Sequence, residues 1–281
     1  MKYLLLAAFI HVSLITSSQV ISILDSKTKQ PIPYATIRWN TVQGGTYTGA
    51  DGRADLHNNF KDTIFISSIG YESRIIILRN VQHDSVLLVP TINELPSVTV
   101  QSLHAMGEQT LGIIHAKKFG CWTGTGFGEE FAQRISFPDS TKTYKIKSVS
   151  IGMERFDETI PTVLHIYNLA DGRPGNDMLL KKIVLRKSNY KKRKEKLIVD
   201  LGSENILIND TACFVGIEWM PVFAHHQPSS AIVITDDFTE PLTFIRSHYY
   251  YGGVKWLPTI LLPGQVHAGN TVISVTVEVL K

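Results

Sequence analysis

The side chains best suited to chemistry lie in the last quarter of the chain. His225-His226, Ser229-Ser230, Asp236-Asp237 and Glu240 place imidazoles, hydroxyls and carboxylates close together in sequence. Adjacent histidines on extended backbone point to opposite sides, so this pair does not converge on one metal ion. A serine nucleophile at 229 or 230 would need a Gly-x-Ser-x-Gly elbow, which is missing there. Hydrolysis by paired carboxylates needs two acids held about 5–10 Å apart, and no spacing among these residues fixes such a pair. None of the 10 histidines is followed three residues later by glutamate, so the His-x-x-Glu pair of zinc carboxypeptidase chemistry is not encoded. The expectation is of no catalytic residue, no metal set and no cofactor.

Binding chemistry is better represented. Tyr249, Tyr250 and Tyr251, followed by Trp256, could stack against the C–H faces of a sugar. The same residues also suit a strand end whose alternate rings cover a core. Lys191–Lys196 is a basic run diluted by Glu195, read as a solvated hairpin tip that could touch anionic lipid or acidic polysaccharide. Asp171, Asn176 and Asp177 offer oxygens to calcium without completing a ligand set, so a polar turn is the simpler account. Gly124-Thr125-Gly126-Phe127-Gly128 departs from Gly-x-Gly-x-x-Gly and lacks a strand-then-helix frame, so it reads as a turn before a strand.

The elements that must position these groups are strands. Residues 33–39 alternate with period two, and Tyr144–Ile151 does the same, with Val149 and Ile151 on the core side and Ile146 sharing the other face with Ser148. Asp51-Gly52 marks a tight turn, and Gly70 a bend between two strands. Thr211–Trp219 reads as a buried central strand. Hydrophobic residues are 43% of the 281, charged residues 19%, and the net charge is +3, which excludes disorder and gives no pull towards nucleic acid. About seven short strands before Gln101 and eight to ten after Glu130, with no sustained helical period, give an all-β chain.

Three motifs in order, residues 25–37, Thr48–Arg53 and Ile66–Glu72, resemble the carboxypeptidase regulatory-like domain. The resemblance implies a small transthyretin-like sandwich, of a kind found in Gram-negative envelope proteins and ahead of the plug of TonB-dependent transporters. It implies no peptidase activity. Tyr71 is expected to pack its ring and tie its hydroxyl to nearby backbone. Residues 146–151, His165–Tyr167, 171–175 and Val215–Trp219 resemble an uncharacterised C-terminal domain often joined to regulatory-like domains, which implies a larger jelly-roll-like β-sandwich. The divisions are a signal peptide at 1–18, the regulatory-like domain at 19–101, a linker at 102–118 and the second sandwich at 119–281.

Lys2, an apolar run to Ile15 and the small residues Thr16 and Ser18 suit cleavage before Gln19, and the run is shorter than a membrane span. Export would permit a bridge between Cys121 and Cys213; two buried free thiols fit the spacing as well. The Asp-Ser pairs at Ser140 and Ser85 suit bacterial O-glycosylation more than the Asp-Thr pairs at Thr63 and Thr211, because a glycan needs an exposed hydroxyl. The function expected is that of a non-enzymatic exported envelope protein binding an envelope partner or surface glycan, periplasmic, outer-membrane-associated or at the cell surface. A carbohydrate-binding module and a hydrolase whose residues meet only in three dimensions are the alternatives.

Overall fold

The computed structural model describes residues 20–39, 45–56, 63–78, 84–91, 104–124, 127–158, 160–191, 194–220, 230–246, 255–259 and 269–281. The signal segment, His225-His226, Ser229 and the Tyr249–Tyr251 triplet lie outside them.

The first domain holds β1 (Val20–Asp25), β2 (Thr36–Trp39), β3 (Gly45–Tyr47), β4 (Arg53–Asp55), β5 (Thr63–Ser67), β6 (Arg74–Ile77) and β7 (Ser85–Leu88). They form a three-stranded sheet, β4-β1-β7, facing a four-stranded sheet, β3-β2-β5-β6. Alternation fills the space between: Ile21 and Ile23 from one sheet meet Ile37, Ile64 and Ile66 from the other, all buried. Gly52 has φ +73°, and a Cβ there would fall 2.7 Å from Pro31 Cβ, so the Asp51-Gly52 turn requires glycine for both reasons. The Tyr71 hydroxyl is tied to a side chain rather than to backbone. It donates to Asp25 Oδ2 at 3.0 Å, while Asp25 Oδ1 accepts the Lys27 and Thr28 amides. Those backbone hydrogen bonds, the one from Thr28 foremost, hold the Asp25 carboxyl below its ordinary value.

The second domain opens with β8 (Ala105–Gly112), β9 (Gly120–Trp122), β10 (Glu130–Ser136) and β11 (Thr143–Arg155). β12 (Thr162–Ala170), β13 (Arg173–Asp177), β14 (Ile183–Val184), β15 (Tyr190–Lys191), β16 (Lys196–Asp200) and β17 (Leu207–Ile208) follow. β18 (Ala212–Trp219), β19 (Ala231–Thr235), β20 (Thr243–Arg246), β21 (Leu257–Pro258), β22 (Asn270–Thr271) and β23 (Ile273–Leu280) complete it. One sheet runs β13-β12-β18-β10-β20-β21, with β14 beside β12. The other contains β15-β16-β11-β19-β22, with β23 between β11 and β8, β17 on β11 and β9 on β19. Leu164, Ile166, Val215, Ile217 and Trp219 pack against Val149, Ile151, Ile273 and Val275 to make the main core. Ile146 joins that core too, against expectation. A register shift between Ile146 and Ser148 turns the strand over, so Ile146 and Val149 can both face inward.

The segment read as a linker is partly strand: β8 pairs with β23 along its length, and His104 and Lys281 close the end of the pair by exchanging backbone hydrogen bonds. Its glycines and polar residues hid it, because an exposed edge strand needs no apolar alternation. Lys191 and Lys196 pair across the β15–β16 hairpin, as the basic run suggested. Ser140 sits exposed in the turn before β11, and Ser85 is exposed at the start of β7. Among the described residues no helix is long and apolar enough to cross a membrane.

Cys121 and Cys213 are unbridged. Cys213 faces the core of the central strand β18, whereas Cys121 points outward from β9, whose next residue Trp122 packs inward. Burial pushes the Cys213 thiol up to about 12. Native protein titrated with a small thiol reagent should therefore show one fast-reacting group, at Cys121, and the second only after denaturation. Peptide mapping that recovers a Cys121–Cys213 disulfide would overturn this arrangement.

Candidate functional site

Among the described residues, the largest gathering of ionisable side chains lies on the outward face of the seven-stranded sheet, where the first domain covers it. The sheet register dictates its composition. Across adjacent strands Val163, Glu218, Glu130 and Arg246 form one row, and His165, Gly216, Ala132 and Phe244 form the next. Glu218 and Glu130 therefore face each other directly, and both are well covered, with side-chain exposures of 13% and 1%. Two anions so placed repel, and each loses its hydration, so the arrangement needs cations within reach.

Three cations are present. His165 Nε2 lies 3.1 Å from Glu218 Oε2, and its Nδ1 lies 2.7 Å from Asp177 Oδ2. Arg246 Nη2 binds Glu130 Oε2, and its guanidinium rests 4.6 Å above the Trp256 ring. Lys182 Nζ donates to the Tyr34 carbonyl of the first domain, and its charge reaches Glu218 and Asp177. Hydroxyls fill the remaining acceptor sites. Tyr167 donates to Glu130 Oε1 at 2.6 Å, and Tyr47, from β3 of the first domain, donates to Glu218 Oε1 at 2.8 Å. Tyr47 in turn accepts the Gly128 amide at 3.0 Å. Three carboxylates and three cations thus share one cluster, and hydrogen bonds at Tyr47 and at the Tyr34 carbonyl cross between the domains.

Glycines make the convergence possible. At Gly216, a Cβ would come within 2.6 Å of Glu130 Oε1 and 2.7 Å of the Tyr167 ring. At Gly45, a Cβ would fall 2.5 Å from the Phe127 ring, which packs tilted against Tyr47 at 4.9 Å. The end of the glycine-rich run reaches the domain contact: Phe127 and the Gly128 amide both meet Tyr47. Tyr34, Tyr47, Val163 and Met220 seal the polar cluster with an apolar patch.

Proton affinities follow from these contacts. Burial opposes charge on His165, but the Glu130 carboxylate and the hydrogen bonds to Asp177 and Glu218 outweigh it and raise the ring to about 10. Burial would also raise Glu218, yet the hydrogen bond and charge of His165, with Lys182 and Arg246 behind them, hold it well below the usual carboxylate range. Burial lowers Lys182, with Glu218 and Asp177 opposing. His165 is thus an imidazolium at neutral pH, donating from both nitrogens, and neither nitrogen is free to take a proton from a substrate. The chemistry the cluster can perform is cohesion between the two domains.

Of the residues expected from sequence, Asp177 and Trp256 join this cluster, and the other described ones lie elsewhere. Trp256 is only 8% exposed, covered by Arg246 and packed edge-on to Tyr167, so it is not the open stacking surface expected of a glycan contact. Ser230 is buried, and its hydroxyl donates to the Asp157 carbonyl. Asp237 accepts the Lys117 amide. Asp177 is drawn to His165 and to the Leu179 amide rather than left to a cation. Among the described residues no three His, Cys, Asp or Glu side chains are arranged to hold a metal ion.

Comparison with known proteins bears on the first part of the chain. Residues 22–100 match the family model of the CarboxypepD_reg-like domain. No curated protein matches the sequence. Among solved structures, the cysteine protease and lectin-like domains of a surface layer associated protein of Clostridium difficile are similar at a TM-score of 0.38 and 8% identity, over 93% of this chain and 62% of that one. The chain therefore spans less than two thirds of that structure, and the likeness is too low to carry an argument.

Two measurements test the cluster. Gly216→Ala forces a methyl against Glu130 and Tyr167, and overpacking of this kind costs about 1–3 kcal/mol. The melting temperature should fall by several degrees, and an unchanged value would show that the cluster is loosely held. The pH dependence has two limbs. Glu218, held low, contributes stability that is present above its ordinary 4.5 and lost as pH falls below that value. His165, held high, contributes stability that is present below its ordinary 6.5 and lost as pH rises through about 10. Denaturant unfolding should thus show greatest stability between these ordinary values, and His165→Gln should flatten the alkaline limb. An alkaline limb unchanged in that variant would refute the assignment.

Proposed function

We propose that this chain is a non-enzymatic, exported protein of a bacterial envelope, acting as a partner-binding module at the outer membrane or cell surface. The observation that carries this reading is the self-neutralised cluster at the domain interface. Its three carboxylates and three cations, the His165 imidazolium among them, are committed to one another and to Tyr47 and Tyr167, an arrangement that fixes two sandwiches against each other. The N-terminal basic residue, apolar run and small residues before Gln19 support export. The regulatory-like domain at 22–100 brings turns, a latch from Tyr71 to Asp25 and a closed core, which are the parts of a scaffold.

The test is made on the full chain purified from its own envelope. It should leave panels of peptide, ester and glycoside substrates unturned and capture an envelope component in stoichiometric yield. Turnover of any substrate that is abolished by Glu130→Gln or His165→Gln would overturn the reading.

A further inference from the structure

The edge strand β8 is exposed on both faces, with only Leu111 half-covered, and Met106 is 58% exposed. Its inner edge pairs with β23 over its whole length, and among the described residues its outer edge pairs with nothing. Proteins commonly guard such an edge with lysine, proline or brevity, and Ala-Met-Gly-Glu-Gln-Thr-Leu-Gly has eight residues and neither guard.

The rows that end on this edge say what would fit. Lys145 on β11 lies opposite Glu278 on β23, and Glu278 lies opposite Glu108 on β8. Two like charges stand side by side, although opposite charges are the stabilising cross-strand pair. Lys145 answers one of them at most, and its Nζ is drawn to Asn205 Oδ1 at 2.8 Å, so the row carries two anions to one cation. The ion pairs among the described residues include neither glutamate. The next row on the same face is Ser148, Thr276, Thr110. Opposite Leu111 on the other face stands Val275, next to Val149.

We propose that the outer edge of β8 receives an extended strand of a partner protein, with a lysine or arginine opposite Glu108, a β-branched residue opposite Thr110 and apolar side chains on the alternate face. The incoming cation answers the Glu278–Glu108 pair, and the backbone ladder is completed along the edge. A second copy of this chain is a poor occupant: its own β8 brings another glutamate and no cation. The proposal rests on the reading of the chain as a partner-binding module. Substrate turnover would end that reading without touching the measurement below, and failure of this measurement leaves other binding surfaces open.

The probes are two capped peptides, Val-Lys-Val-Thr-Val-Lys-Val and Val-Glu-Val-Thr-Val-Glu-Val, added to the full chain in low salt. The lysine peptide should bind more tightly by about three- to tenfold, the scale of a cross-strand charge pair together with reversal of its sign. Amide hydrogen exchange should slow within residues 105–112. Glu108→Lys should reverse the preference and Glu108→Gln should reduce it; Glu108 is exposed, so both variants should keep the wild-type melting temperature. Equal binding of the two peptides, or protection confined to other strands, would overturn the proposal. So would concentration-dependent dimerisation without peptide that protects β8, which would assign the edge to a second copy.

Discussion

Glu130 and Glu218 lie opposite each other on neighbouring central strands, on a face closed to water, and this pair constrains the rest of the molecule. A buried carboxylate without a partner would take up a proton or destabilise the fold by several kcal/mol, about 3–5 when one member of an ion pair is removed. The sheet supplies His165 and Arg246 from flanking strands, and Asp177 fixes the ring that answers Glu218. Gly216 leaves the space in which these groups meet. What the sheet does not supply is the donor to the second oxygen of Glu218, which comes from Tyr47 in the other domain. The interface is therefore a requirement of this sheet's electrostatics as well as a contact of two surfaces.

Most of the fold was legible in the sequence because burial on one face imposes period two. β2 and β11 show the pattern, and the continuous apolar run at β18 marks a strand covered on both sides. The Asp-Gly turn and the motif from Asp25 to Tyr71 were legible for a different reason: turn chemistry allows few residues. β8 was not legible, because a strand that contributes one half-buried leucine to the core leaves no hydrophobic signature. The register shift in β11 escaped too, since nothing in Ile146-Lys147-Ser148 marks a bulge.

The cluster was half legible. His165, Tyr167, Gly216 and Glu218 fall within the segments that identified the second domain, but they were read there as architecture alone. A signal was available: Thr211–Trp219 was expected to be a buried central strand, and it carries a glutamate. Charged residues are almost never fully buried unless paired, so Glu218 implied a cation and a covering surface. What sequence could not provide was the identity of those partners, because Tyr47 lies in another domain and Arg246 on a strand far along the chain. Of the aromatic patch at the C-terminal end, Trp256 spends its ring face on Arg246 instead of leaving it to solvent, which its sequence neighbours do not foretell.

The hydrogen bond from Tyr47 to Glu218 makes the two domains unequal in modularity. The first domain closes a core of its own from Ile21, Ile23, Ile37, Ile64 and Ile66, and gives its neighbour the side chains of Tyr34 and Tyr47 and the Tyr34 carbonyl. The second keeps a carboxylate whose solvation is completed from outside. Recombination could carry the first domain into many contexts at little energetic cost, whereas the second travels alone only by acquiring a substitute hydroxyl or losing the charge. The asymmetry is one of inheritance: the scaffold is portable, and the sandwich it covers is bound to it.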